Sequence, residues 1–198
     1  MKIATSLLIL LLFATYISAQ KKKDVSVAFV NARTATPFSQ SVKLITSIQH
    51  PGIEIGYSFN WKTKNKHDWY QEIKLAYFYH RFVQHAIPFY TNFGYRYKFS
   101  NAWTAQAAVG AGYLHSIPAT AQLQLQSTGE YKSSKGIGRM QGLAVLNFGG
   151  SHIIRLQGTR SLKIFVTYQQ MIQTPFINAY VPLLPYNSLL LGMRIPVK

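Results

Sequence analysis

Ile53-Glu54-Ile55-Gly56-Tyr57-Ser58-Phe59-Asn60-Trp61 alternates without a break: odd positions are apolar or aromatic, even ones polar or glycine. A period of two marks an extended strand with one apolar face. The same beat returns along the chain. Ile73, Leu75, Tyr77 and Tyr79 alternate with Glu72, Lys74, Ala76 and His80, with Phe78 as the one intruder. Phe89, Phe93, Tyr95, Tyr97 and Phe99 alternate with Asn92, Gly94, Arg96 and Lys98. Trp103, Ala105, Ala107, Val109, Ala111 and Tyr113 are spaced by Gln106, Ala108, Gly110 and Gly112. Leu162, Ile164, Val166 and Tyr168 face away from Lys163, Thr167 and Gln169, as Leu189, Leu191, Met193, Ile195 and Val197 do from Ser188, Gly192 and Arg194. Val42, Leu44 and Ile48 give a weaker case, and 139–148 carries apolar residues on both faces. Eight strands are predicted, at 40–49, 52–62, 69–83, 88–99, 102–115, 138–149, 161–172 and 187–197. No helical period survives beyond residue 20, so the chain is all-β.

The chain has 198 residues, 13% of them charged, a net charge of +16 and no cysteine. About 25% charged residues is usual for a soluble domain, so half of that complement is missing. The absence of cysteine excludes disulfides, thiolate metal sites and cysteine nucleophiles. Met1-Lys2, the apolar run SLLILLLF at 6–13 and Ile17-Ser18-Ala19 form the three-part pattern of a secretory signal. Residues 1–19 are therefore expected to be a cleaved signal peptide, 20–39 a periplasmic N-terminal segment, and 40–198 the strand-built domain.

Eight such strands close into an antiparallel up-and-down barrel, and the apolar face can point in or out. Three features point it out, into lipid. The other face holds Gly56, Ala76, Gly94, Ala108, Gly110, Gly112 and Gly192, which suits a crowded lumen better than a solvated surface. Aromatics gather at two heights. Phe59, Trp61, Trp69, Tyr97, Phe99 and Trp103 mark one, and Tyr77, Tyr79, Phe89, Tyr113 and Tyr168 the other, as two membrane interfaces select. Charges also avoid the apolar stripes, apart from Arg81 near one end. The expected fold is a transmembrane β-barrel with outer-membrane lipid around it. An even strand number puts both termini on the periplasmic side. There a basic rim of Lys21, Lys22, Lys23, Lys62, Lys64, Lys66, Arg155, Arg160 and Lys198 suits anionic headgroups or acidic partners. No helix, zinc set or stacking platform accompanies the charge, so nucleic acid is not an expected partner.

The export signal, the HPGIEIG opening at 50–56, FGYRYKF at 93–99 and LLLGMRIP at 189–196 resemble small outer-membrane β-barrel proteins of the Bacteroidetes type. The resemblance implies an outer-membrane location in the Gram-negative cell envelope and brings no catalytic residues with it. Lys198 departs from the terminal phenylalanine common in proteobacterial barrels.

Glu54, Glu72, Lys74, Arg96, Lys98, Lys163 and Arg194 fall on the lumen face, where opposite charges in a narrow interior should pair. They read as a side-chain-filled polar plug, or as a narrow path or binding place for small anionic solutes. His50, His80, His85 and His115 map to the outer rim, where imidazoles from neighbouring connections are candidate metal ligands. Ser116 beside His115 invites a hydrolase reading, with His115 or His80 as the base and lipid or peptide at that rim as substrate, without an HExxH or Gly-x-Ser-x-Gly pattern in support. No cofactor is expected. Connection 173–186 is apolar and uncharged; Phe176, Ile177, Tyr180, Leu183 and Leu184 either fold over the mouth or dock a partner. Residues 117–137 are expected to form a hairpin above the membrane, able to pair with another envelope protein. The favoured role is non-enzymatic: a structural or interaction barrel, an accessory subunit of the envelope.

Overall fold

The computed structural model describes residues 23–35, 44, 50–81, 83–125, 127, 129–134, 136–155, 161–176 and 182–197. The strands are β1 (Lys23–Thr34), β2 (Pro51–Thr63), β3 (His67–His80), β4 (Gln84–Lys98), β5 (Trp103–Pro118), β6 (Gln122–Leu125), β7 (Tyr131–Ser134), β8 (Arg139–Arg155), β9 (Ser161–Thr174) and β10 (Leu184–Val197). Eight of them form a closed barrel in the order β1-β10-β9-β8-β5-β4-β3-β2. Every neighbouring pair is antiparallel. The two short strands, β6 and β7, make a separate hairpin in the connection between β5 and β8. That hairpin lies in the stretch where the sequence predicts one.

Seven of the eight predicted strands are present, and the first is corrected. The segment 20–39, expected to lie outside the barrel, supplies β1: Val25, Val27 and Phe29 face out while Asp24, Ser26 and Ala28 are buried. Of the predicted strand 40–49 only Leu44 is described, with helical backbone and buried; the remainder lies outside the described residues, as does the expected signal peptide. The run Lys21-Lys22-Lys23 close behind the apolar stretch 6–13 disguises a segment whose alternation is cleaner than that of 40–49. Because one strand replaces another, the number stays even. Lys23 pairs with Val197, so both ends of the barrel wall meet at one end of the cylinder. The connections 64–66 and 99–102 share that terminal end, as do the strand ends Arg155 and Ser161. The far end holds the strand ends Thr34, Pro51, His80, Gln84, Pro118, Arg139, Thr174 and Leu184.

The alternation decides which side chains go where. Phe29, Ile55, Val109 and Leu191 point outward with about half or more of their surface exposed (51%, 49%, 63% and 56%). Aromatic rings cluster at the two predicted heights. Near the terminal end Trp69 lies against Phe93 and Tyr95 at 5.6 and 5.1 Å, and Tyr97 meets Phe99 at 5.0 Å. Near the far end Tyr77 and Tyr79 flank His85, and Tyr113 lies beside His115.

Inside, small residues make room for large ones. A Cβ at Gly94 would lie 2.5 Å from Cζ of Tyr70 and 2.8 Å from Cβ of Ala108. A Cβ at Gly192 would lie 2.6 Å from Cζ of Phe165. The interior is less polar than predicted. Val30, Phe78, Leu114, Leu143, Val145, Phe165, Met171 and Leu190 form an apolar cluster within the lumen. Phe78, the residue that breaks the alternation of β3, is buried there edge-on against Tyr186 at 5.3 Å. Leu143 and Val145 explain the doubly apolar stretch 139–148: β8 is apolar towards both sides.

Gly94→Val is expected to destabilise the barrel by about 1–3 kcal/mol, because Tyr70 has nowhere to move. Adding Tyr70→Ala should restore part of the loss. The check is the urea midpoint of the heat-sensitive gel shift of the folded barrel.

Candidate functional site: the lumen and its two mouths

At mid-height, β2, β3 and β10 bring four charges together. Lys74 Nζ donates to Glu54 Oε1 at 2.7 Å and sits 3.5 Å from Glu72 Oε2. Arg194 Nη2 donates to Glu72 Oε1 at 2.6 Å. Tyr90 from β4 donates its hydroxyl hydrogen to Glu54 Oε2, and Gln169 Nε2 from β9 donates to the Tyr90 oxygen at 2.7 Å. All four charged side chains are at most 4% exposed. Gly56, paired with Lys74 across β2 and β3, leaves the space: a Cβ there would press on Ser26 Oγ at 2.7 Å and Lys74 Cγ at 3.3 Å. Two cations and two carboxylates at this distance form a neutral plug. Each charge has lost its water, so each depends on its partners.

At the far-end mouth a second network contains only neutral groups. Gln84 Nε2 donates to Gln173 Oε1 at 2.6 Å and to Tyr186 Oη at 3.0 Å. Ser116 Oγ donates to Gln84, and Gln173 to Gln141. Gln141 in turn donates to the carbonyl of Pro175 at 2.6 Å, tying the 175–183 connection to the mouth. Of the residues predicted to dock a partner, Phe176 lies under the Arg139 guanidinium at 5.3 Å. Leu184 packs on the apolar cluster and Leu183 is 53% exposed. Ile177 and Tyr180 lie outside the described residues.

The terminal mouth is charged. Lys98 Nζ pairs with Asp68 Oδ1 at 2.7 Å, and Lys163 Nζ with Asp24 Oδ2 at 2.9 Å. The Arg96 guanidinium carbon lies over the Tyr70 ring, 4.4 Å from its centroid, and its Nε is 3.4 Å from Gln106 Oε1. The sequence reading has these three cations but misses both acids. Asp24 falls in the segment assigned outside the barrel, and Asp68 just before a strand placed to begin at 69. The acid census carries the missing signal: four of the five acids in the chain, Asp24, Glu54, Asp68 and Glu72, are buried in the lumen. The fifth, Glu130, is exposed beside β7.

The four rim histidines do not converge. His85 faces outward and bonds Tyr77 Oη at 2.9 Å. His115 faces outward too, between Tyr113 Oη and the carbonyl of Ile137, both at 2.9 Å. His50 and His80 stack in parallel with centroids 3.9 Å apart. Lone pairs of an imidazole lie in its ring plane, so two parallel stacked rings do not aim at one ion between them. Among the described residues no group of three or more metal-binding side chains forms. Burial holds the His50 imidazole below its ordinary value of 6.5, and the charge of Arg33 adds to the effect against a bond to Ala32. Ser116 and His115 occupy opposite faces of β5, one in the lumen and one outside, so they form no nucleophile–base pair.

No family model matches the chain, and no curated protein matches it. Solved structures of similar fold include Neisserial surface protein A, at 10% identity, with 89% of this chain and 97% of that chain covered and a TM-score of 0.49. The attachment invasion locus protein Ail of Yersinia pestis is similar at 10% identity, over 90% of this chain and 99% of that one, with a TM-score of 0.48. The outer membrane enzyme PagL is similar at 14% identity, over 88% of this chain and 99% of that one, with a TM-score of 0.43. The likeness stops at the outline of the barrel; location and function rest on this chain's own side chains.

Glu72→Gln strands Arg194 and is expected to cost about 3–5 kcal/mol, the usual effect of breaking a buried pair on one side. Glu130→Gln, on an exposed acid, should change stability by less than about 0.5 kcal/mol. Urea unfolding of the detergent-folded barrel, followed by tryptophan fluorescence, separates the two.

Proposed function

We propose that the chain is an outer-membrane β-barrel of the Gram-negative envelope with a structural or interaction role, an accessory subunit without catalysis. The observation that carries the location is the exterior. A closed sheet shows Val27, Ile55, Val109, Val166, Leu191 and Met193 to its surroundings while burying four acids, Lys74, Arg96 and Arg194 inside. A water-soluble barrel has the reverse arrangement. In a bilayer every backbone group must find its partner within the protein, and closure of β1 on β10 provides this. Residues 1–19 serve as the export signal in this reading, and the Bacteroidetes-type affiliation belongs to it too. The terminal end faces the periplasm, and the longer connections with the β6–β7 hairpin face outward.

The lumen supports a filled barrel over a channel. The neutral ion cluster, the apolar layer and the glutamine network are stacked across it. Ser116 and His115 lie on opposite faces of β5, so that pairing lends the hydrolase reading no support. The far-end surface, 117–137 and 173–186, we assign to contact with another envelope protein.

Val109→Arg tests the location: it should lower stability in a bilayer by about 2–4 kcal/mol, as a cation near the membrane midplane does. The measurement is urea titration of the barrel folded into phosphatidylcholine vesicles. Recovery of the parent protein in the aqueous fraction without detergent would overturn the location. Deleting 176–184 should release envelope proteins that co-purify with the intact barrel, and planar bilayers should record no conductance.

A further inference from the structure

We propose that the terminal mouth of the lumen binds a phosphate monoester carried on a small polar body. A cavity of about 550 Å³ opens there, between the β2–β3 and β4–β5 turns. Its volume lies within the range of small-molecule sites, ~300–1,000 Å³. The base of the cavity is Arg96, only 4% exposed. Its guanidinium is held in place by the Tyr70 ring and by Gln106. Its Nη2 nevertheless is buried without a hydrogen-bond partner. A positioned, desolvated donor is costly to leave unused, and a charge-assisted bond to an oxyanion would satisfy it.

The surrounding charge favours a dianion. Lys66, Arg96, Lys98 and Lys163 line the cavity. Two acids stand against them: Asp68 holds Lys98, and Asp24 holds Lys163. Two positive charges are left over, matching a phosphate monoester of roughly −1.5 to −2 at neutral pH better than a carboxylate. Asn60, Asn101, Thr104 and Ser151 add neutral donors and acceptors around the walls, suited to hydroxyl groups on the ligand body. Past Arg96 the lumen is closed by Tyr70 and the Glu72–Arg194 pair, so the mouth is a dead end for binding and not for passage. The site rests on the barrel geometry alone and is independent of the partner-contact reading. The lining includes the lumen-facing Asn60, Arg96, Thr104 and Ser151, which favours a soluble ligand over a lipid headgroup at the rim.

The test is isothermal titration of glycerol 3-phosphate into the full barrel in zwitterionic phosphatidylcholine nanodiscs, with glycerol as the neutral control. Saturable binding is expected for glycerol 3-phosphate and none for glycerol. Arg96→Gln should weaken binding at least about tenfold, the loss of one charge-assisted bond. Lys66→Gln, an exposed substitution that leaves the fold intact, should weaken it by about three- to fivefold. Arg155→Gln, on the same rim and outside the cavity, should leave it unchanged. Absence of saturation up to about 10 mM would overturn the proposal, as would Lys66→Gln and a folded Arg96→Gln binding like the parent. So would glycerol 3-phosphate binding nowhere while phosphatidylglycerol nanodiscs alone perturb the site, because the anion would then be a lipid headgroup.

Discussion

Closure of β1 on β10 is the constraint from which the rest of the interior follows. A sheet with an unpaired edge exposes a row of backbone donors and acceptors, and closure alone removes both edges. Twelve residue pairs, from Lys23–Val197 to Thr34–Tyr186, make the seam. With the seam shut, alternation sends every second side chain of eight strands into one narrow cylinder. An eight-stranded barrel is just wide enough for those side chains to fill. Polar groups so confined have little water to turn to, and the pairing of Glu54, Glu72, Lys74 and Arg194 is the consequence.

Filling the cylinder is shared among layers of different chemistry. The ion cluster is strong only where its geometry is fixed, and Tyr90 and Gln169 fix it by holding the second oxygen of Glu54. Beside it the apolar cluster supplies the packing that a wholly polar lumen would lack. At the far mouth the amides of Gln84, Gln141 and Gln173 close the stack without charge. An amide both donates and accepts, so a ring of them satisfies itself and tolerates nearby water better than an ion pair would. The layers thus place the Glu54–Lys74–Glu72–Arg194 cluster deep in the lumen and neutral amides at the mouth that carries the longer connections.

Much of this was legible in the sequence, because the side-chain period of a strand is exact in geometry and survives wherever one face is apolar. Ile53 to Trp61 reads correctly residue by residue, and the lumen positions of Glu54, Glu72, Lys74 and Arg194 follow from it. Two kinds of position escaped. Where both faces are apolar, as at Leu143 and Val145, periodicity has no contrast, and the apolar part of the lumen stays hidden. Where a strand adjoins a lysine run, as at Val25 to Phe29, composition of the neighbours obscures the pattern. Pairings across the barrel, such as Lys163 with Asp24, are separated by 139 positions in the chain and are set by closure, which no local pattern records.

Five cations line the lumen, and among the described residues four of them hold a carboxylate while Arg96 does not. The difference between Arg194 and Arg96 is instructive because the residue type is the same. Arg194 lies within reach of Glu72 at mid-height, so its charge is consumed in holding strands together. Arg96 stands nearer the terminal end, where the acids present are already taken by more flexible lysines. A tyrosine face and one amide orient it, and neither removes its charge. An arginine fixed in that way contributes less to the stability of the wall than a paired one, since its desolvation is offset only in part. Its fixed donor and the cavity before it are features of a binding group, and the plug behind it makes the two ends of the barrel separate places: one closed by amides under long connections, the other open and positively charged.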